Sequence, residues 1–167
     1  PALIDAGRVG GKLYFLPYRP TVEIAYYNVR GLGKHYLNPP RDWDELLAVA
    51  RWLHKKEGVG RVAIKADGTA GATNHYVDFI RAAGGDPLVL NDRGSKQAFA
   101  YLATLWPHLS TASQQADADT MNQFLALETV FLGRNWPTGI EAIVDRGKQP
   151  DVFAYHGWRG PVREAHS

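Results

Sequence analysis

The stretch Leu37-Asn38-Pro39-Pro40-Arg41-Asp42-Trp43-Asp44-Glu45-Leu46 decides how the rest of the chain is read. Pro39 and Pro40 hold their backbone angles and disfavour helix just before them, so they form a stiff lead-in. Asp42 then offers a side-chain oxygen to the free N–H groups of a new helix, and Glu45, three residues on, fits a capping box. Trp43, Leu46, Leu47, Ala50 and Leu53 recur at helical spacing and predict one apolar face. Gly58 and Gly60 end that helix, and Val62 to Lys65 follows as a short strand. A capped amphipathic helix feeding into a strand is a unit of a layered α/β domain.

Working outward, Lys12 to Asn28 reads as extended, with Pro17 and Pro20 dividing it into two strands with a bend between them. Arg30 to Lys34 reads as a Gly-containing turn and Asp67 to Thr73 as a polar loop. Tyr76, Phe79, Ile80 and Ala83 are again helix-spaced, and Gly84 suits the left-handed residue after a helix end. Ser95 is the expected cap of a third helix carrying Phe99, Leu102, Trp106 and Leu109. A polar stretch, Thr111 to Asp119, precedes a short helix around Met121 to Leu125. Thr129 to Leu132 reads as a strand, as does Val152 to Tyr155. Between them Asn135-Trp136-Pro137 leads into a helix continued by Ile140 to Val144, since proline is favoured in a first turn. Helices and strands alternate over the whole length, with no internal repeat, low-complexity tract or linker; one α/β domain is expected over residues 1–167.

Composition narrows the function classes. Among 167 residues, 45% are hydrophobic and 22% charged, as in an ordinary globular domain. A net charge of +2, from scattered rather than clustered Lys and Arg, argues against nucleic acid or an anionic membrane surface as partner. No apolar run is long enough to span a bilayer. The absence of cysteine excludes disulfides, thiolate metal sites and cysteine nucleophiles. There is no leader-like segment and Pro1 is not an initiator, so the chain is expected to be processed, trimmed or excised from something longer.

Several segments, in order, resemble one family. Gly11-Lys12-Leu13-Tyr14-Phe15-Leu16-Pro17 followed by Ile24-Ala25-Tyr26-Tyr27-Asn28 resembles the hinge-leading segment of extracellular solute-binding proteins of bacterial ABC sugar transporters, of the maltose- and trehalose-binding type. Asn38-Pro39-Pro40 with Trp43 and Glu45-Leu46 is similar to their recurrent helix start, with Asp42 where threonine is usual. Tyr76 to Asp86 resembles their helix ending in Gly-Gly. Asn135-Trp136-Pro137-Thr138-Gly139 is similar to the strand-to-helix turn that carries a sugar-stacking tryptophan. Tyr155-His156-Gly157-Trp158 resembles the segment before the chain crosses to the first lobe.

The resemblance implies one lobe of a periplasmic-binding-protein-like type II fold, a mixed central sheet flanked by helices. Family members are longer and two-lobed; this chain is expected to be the second lobe, without the first lobe and the C-terminal tail. The implied function is binding of a mono- or oligosaccharide in a cleft between lobes, for uptake through an ABC permease, with no catalysis, no cofactor and no metal. The implied location is periplasmic or extracellular, held at the membrane by the transporter or a lipid anchor of the parent protein. An isolated lobe would expose the apolar face its partner normally covers, and homodimers are an expected consequence.

A sugar offers apolar C–H faces and many hydroxyls, so its site needs aromatic planes beside polar side chains. By resemblance Trp136 is the first candidate, against burial between helix and strand. Asn74, His75 and Tyr76 stand where the family supplies ligand contacts, against helix capping by Thr73 or Asn74 with Tyr76 in the core. Arg19, between Pro17 and Pro20, either reaches across the cleft or is a solvated hinge residue. Trp158, flanked by Gly157 and Gly160, lines the cleft or meets the other lobe. Gly84-Gly85 lacks the spacing of a phosphate loop, Asp42, Asp44 and Glu45 are explained by a helix start, and His54, His108 and His156 have no metal-ligand spacing. Two other readings stay open. A sensory ectodomain would use the same lobe. A small carbohydrate-active enzyme would need two carboxylates facing each other across a cleft, and no such pair stands out.

Overall fold

The computed structural model describes residues 2–5, 7–16, 22–146 and 151–162. A short helix, α1 (Ala2–Asp5), and a hairpin of β1 (Arg8–Val9) and β2 (Lys12–Leu13) precede the main body. The body is built on β3 (Ile24–Asn28), which runs antiparallel to β4 (Leu132–Asn135) on one side and to β5 (Val152–Tyr155) on the other. Val62 adds a parallel bridge to Leu132 on the free side of β4, so the sheet is mixed. The expected strand Val62 to Lys65 thus contracts to one bridge inside a buried segment, because the Lys65 N–H that would continue the ladder goes to His75 Nδ1 instead.

Side-chain alternation along β3 divides the interior. Ala25 and Tyr27 face a core made with α3 (Trp43–Glu57), α4 (Ala70–Ala82) and α5 (Arg93–Leu105), where Leu46, Leu53, Phe79, Ile80, Leu102 and Leu105 are buried. Ile24 and Tyr26 face the other way, toward Met121 and Leu125 of α6 (Ala118–Ala126) and Ile143 of α7 (Gly139–Arg146). Helices therefore cover both faces of the sheet.

The opening stretch behaves as its residues dictate. Asp42 accepts the Glu45 N–H at 3.0 Å, Trp43 through Leu53 bury the expected face, and Gly58, at φ +72°, takes the left-handed turn that closes the helix. Glu45 reaches back one residue further than a capping box requires, to the Arg41 N–H at 2.8 Å. The Asp42 N-cap is also where the chain's far end docks: Arg159 N–H reaches the Arg41 carbonyl and Trp43 N–H the Arg159 carbonyl.

Several expectations need correction. Arg30 to Lys34 is not a simple turn: Val29–Gly33 is one helical turn, α2, capped by the Asn28 side chain. The loop Asp67 to Thr73 is shorter than expected, since Thr69 accepts the Gly71 N–H and starts α4 at Ala70; Thr73 and Asn74 lie inside the helix and cap nothing. The cap of α5 is Asp92, which takes the Ser95 N–H at 2.8 Å; Ser95 sits in the first turn with its hydroxyl on the same carboxylate. The buried face of α5 is accordingly Ala98, Leu102 and Leu105, while Phe99 is exposed and Trp106 stands in a 3₁₀ turn at the helix end. The strand expected at Thr129 to Leu132 lies at Leu132–Asn135, because Thr129 and Val130 N–H groups bond the Phe124 carbonyl at the end of α6. The bend at Pro17 and Pro20 falls outside the described residues.

Candidate functional site

An open groove of about 520 Å³ lies where β3 begins and β4 ends, roofed by α4 from Asn74 to its C-terminal end. Val22 and Glu23 form its floor. Asn74, Val77, Asp78 and Arg81 line it from α4, and Arg134, Trp136 and Trp158 complete the walls. Another crevice of about 320 Å³, at the C-terminal end of α3 between His54 and Trp106, gathers none of the candidate ligand-binding residues.

Trp136 is half-buried, between the last residue of β4 and the turn into α7. Its carbonyl accepts the Tyr26 hydroxyl at 2.9 Å. Burial raises the Tyr26 pKa above its ordinary 10.0, so this group stays a donor. The preceding residue, Asn135, is buried and donates its amide to Ala118 O at 2.6 Å and Asn122 Oδ1 at 2.7 Å. Gly139 makes room for that contact, since a Cβ there would overlap the Asn122 carboxamide. Helix α6 thus holds the strand end that presents Trp136.

Beneath the groove lies a buried ionic cluster. Lys65, with no exposed surface, pairs its ammonium with Glu23 and lies 3.3 Å from Asn135 Oδ1 and 5.4 Å from the centroid of the Trp136 ring. His75 Nδ1 accepts the Lys65 backbone N–H at 2.9 Å, so Nδ1 carries no proton and the neutral ring has its proton on Nε2. That Nε2 lies 2.7 Å from Glu23 Oε2 but off the line of a hydrogen bond; the contact is electrostatic, and both atoms lack an aligned partner. Burial pushes the His75 pKa below 6.5, outweighing the attraction of Glu23. Burial alone would push the Glu23 carboxyl up; the close approach of His75 and the hydrogen bond and charge of Lys65 outweigh it and hold the group below its usual range. Arg134 joins the two walls, with 2.8 Å to Asp78 of α4 and 3.5 Å to the Glu23 carbonyl.

Of the residues singled out from the sequence, Trp136, Asn74 and Trp158 meet at this groove. Trp158 shows only its edge, 8% exposed, with its indole N–H on the Tyr155 hydroxyl at 2.5 Å. His75 is one residue from Asn74 but turns inward and offers the groove no surface. Tyr76 packs against the main core rather than the groove. Arg19 lies outside the described residues. Glu23, Lys65, Asp78, Arg81 and Arg134 were missed. Asn74, Asp78 and Arg81 do share a helical face by spacing, and Lys65 ends an apolar strand-like run; both signals are visible in the sequence. Among the described residues no cluster of His, Asp or Glu is arranged to hold a metal ion, and no helix is long and apolar enough to cross a membrane.

A mixed sheet covered by helices on both faces agrees with the comparison to known proteins. The model for bacterial extracellular solute-binding proteins matches residues 1–161. The chain belongs to this family. It is a family of solute-binding rather than catalytic proteins, acting in the periplasm or outside the cell. The chain is 28% identical over 156 residues to a probable ABC transporter-binding protein of Deinococcus radiodurans, covering 82% of this chain and 36% of that protein. Its fold matches maltose-bound MalE3 of T. maritima with a TM-score of 0.76 at 22% identity, over 96% of this chain and 44% of that one. It also matches a sugar transporter protein of Arthrobacter chlorophenolicus A6 with bound laminaribiose, with a TM-score of 0.77 at 19% identity, over 96% of this chain and 42% of that one. The chain thus has the mixed α/β fold of these proteins and spans less than half the length of each.

Proposed function

We propose that this solute-binding chain supplies one wall of a carbohydrate site, as the second lobe of a two-lobed protein that delivers a mono- or oligosaccharide to an ABC permease. The observation that carries the reading is Trp136. It is a partly exposed aromatic side chain at the edge of a groove whose other walls include Asn74, Asp78, Arg81 and Arg134. Such a surface stacks on sugar C–H faces while its neighbours exchange hydrogen bonds with hydroxyls. The share of each relative's length that the chain covers agrees with one lobe of two. Opening and closing about the segment before β3 would couple the solute to the permease.

Calorimetry on the full-length protein with a panel of neutral mono- and disaccharides tests this. At least one sugar should bind, and Trp136→Ala should weaken it by about 2 kcal/mol, near thirtyfold. Unchanged affinity removes Trp136 from the site.

The first lobe would seat on the side of the hairpin, where Tyr14, Phe15 and Leu16 are each more than 60% exposed. The isolated chain should then self-associate through this face. Sedimentation showing a monomer at high concentration would refute that part.

A further inference from the structure

We infer that the buried Lys65–Glu23 ion pair is a positioning device for Trp136, setting the angle of the ring from behind through charge rather than through apolar packing. The inference rests on the reading of Trp136 as a contact surface. Lys65 has no exposed surface, and the Glu23 side chain is 2% exposed. A buried ion pair gives little net stability, since well-packed apolar residues of the same volume often serve as well or better. What distinguishes this pair is what its cation faces. The Lys65 ammonium addresses the Glu23 carboxylate, the Asn135 carboxamide oxygen at 3.3 Å and the Trp136 ring at 5.4 Å. A cation facing an aromatic ring is attracted by its negative π cloud, and more strongly where water is excluded.

Among the described residues no aromatic side chain packs on Trp136, in contrast to the stacked Trp43. Three polar restraints take that place. Tyr26 holds the Trp136 carbonyl, Asn122 and Lys65 hold the side chain just before it, and Lys65 holds the ring. His75 fixes the cation's own backbone through the Lys65 N–H, which ties the device to α4, the opposite wall of the groove. Lys65 and Glu23 are therefore positioning residues, acting through Trp136.

The test is fluorine NMR of the protein labelled with 5-fluorotryptophan, with the Trp136 line assigned by its loss in Trp136→Phe. Lys65→Met alone leaves Glu23 buried without its cation and is at risk of unfolding. The deciding variant is Lys65→Met with Glu23→Leu, which removes both charges; circular dichroism and melting establish that it folds. The Trp136 line should shift and broaden in this variant, while the lines of Trp43, Trp52 and Trp106, away from the groove, stay in place. In calorimetry on the full-length protein with maltose, trehalose and laminaribiose, affinity for whichever sugar the wild type binds should fall about tenfold. An unmoved Trp136 line in the folded double variant overturns the inference. A wild type that binds no sugar defeats the binding reading instead, and the fluorine spectra still decide whether the ion pair sets the ring.

Discussion

Two tryptophans stand at helix starts in this molecule, and they have opposite fates. Trp43 is the first residue of α3, just after its Asp42 cap; Trp136 precedes the turn into α7. Trp43 is 6% exposed, stacks on Tyr101 with ring centres 4.4 Å apart, meets Phe79 at 5.2 Å, and its carbonyl accepts the Tyr101 hydroxyl. Trp136 is half-buried, with a lysine on its ring and a groove beside it. Each follows an Asp or Asn, but Asp42 caps a helix whereas Asn135 ends a strand. The difference comes from what the rest of the chain delivers, aromatic rings from α4 and α5 to one and a buried ion pair to the other. One tryptophan is spent on stability; the other is held at the surface.

The largest effect should come from breaking the first site. Trp43→Ala removes a stacked, nearly buried ring and leaves a cavity between Phe79 and Tyr101, so unfolding free energy should fall by about 4 kcal/mol, although the backbone carbonyl that takes the Tyr101 hydroxyl remains. That is a large share of the roughly 5–15 kcal/mol typical of a domain. Urea denaturation measures it. A loss below about 1 kcal/mol would mean that the aromatic cluster is not the stabilising half of the comparison.

Next in size is the ion pair behind Trp136. Lys65→Met should cost about 3 kcal/mol, because Glu23 stays buried without its cation. Adding Glu23→Leu should return most of that loss, although it removes a further native group. Non-additivity of this size in a double-mutant cycle is the signature of direct coupling. Two additive losses would mean that each side chain acts alone.

The contrast also explains which features the sequence revealed. The Trp43 region was legible because its determinants are local: two prolines, a capping aspartate and apolar residues at helical spacing, all between Asn38 and Leu53. Trp136 was singled out by family resemblance instead, and its turn was legible only in part, since Pro137 lies before α7, which starts at Gly139. The ionic cluster was not, since Glu23, Lys65, His75 and Asn135 come from four separate segments and meet only in three dimensions. His75 shows the limit most clearly. It sits beside the exposed Asn74, and one step along a helix turns a side chain by about 100°, from the groove to the interior. Errors at element ends have a similar origin: Thr69 and Asp92 cap α4 and α5, although Thr73, Asn74 and Ser95 are equally able capping residues.

A smaller effect should appear on acidification. The buried His75, faced by Glu23, Lys65 and Arg134, has its folded pKa below 6.5, so the unfolded chain takes up a proton that the native state excludes. Its contribution is complete above about pH 6.5 and is lost as pH falls toward the folded value. Glu23, also lowered, adds a loss in the same direction below its ordinary 4.5. His75→Gln still offers an oxygen to the Lys65 N–H but does not titrate. Stability of the wild type between pH 6.5 and 5 should therefore fall faster than that of the variant, by up to about 1.4 kcal/mol per pH unit. Parallel curves would show that His75 titrates alike in both states.

The smallest effect on stability should come from the residue proposed to stack on the sugar. Trp136→Ala removes a partly exposed ring that no aromatic side chain among the described residues covers, and leaves the Tyr26–Trp136 carbonyl bond intact because that bond is to the backbone. Lys65 loses a ring but keeps Glu23 and Asn135. Unfolding free energy should fall by about 1 kcal/mol, the scale of one cation–π contact with partial apolar burial. Measured in the same urea series as Trp43→Ala, the two substitutions delete the same side chain and should differ about fourfold in stability, with the order reversed in sugar affinity. Equal losses at both sites would make Trp136 a core residue that happens to border a groove, and the wall that binds solute would then have to be sought along Asn74, Asp78 and Arg81 instead.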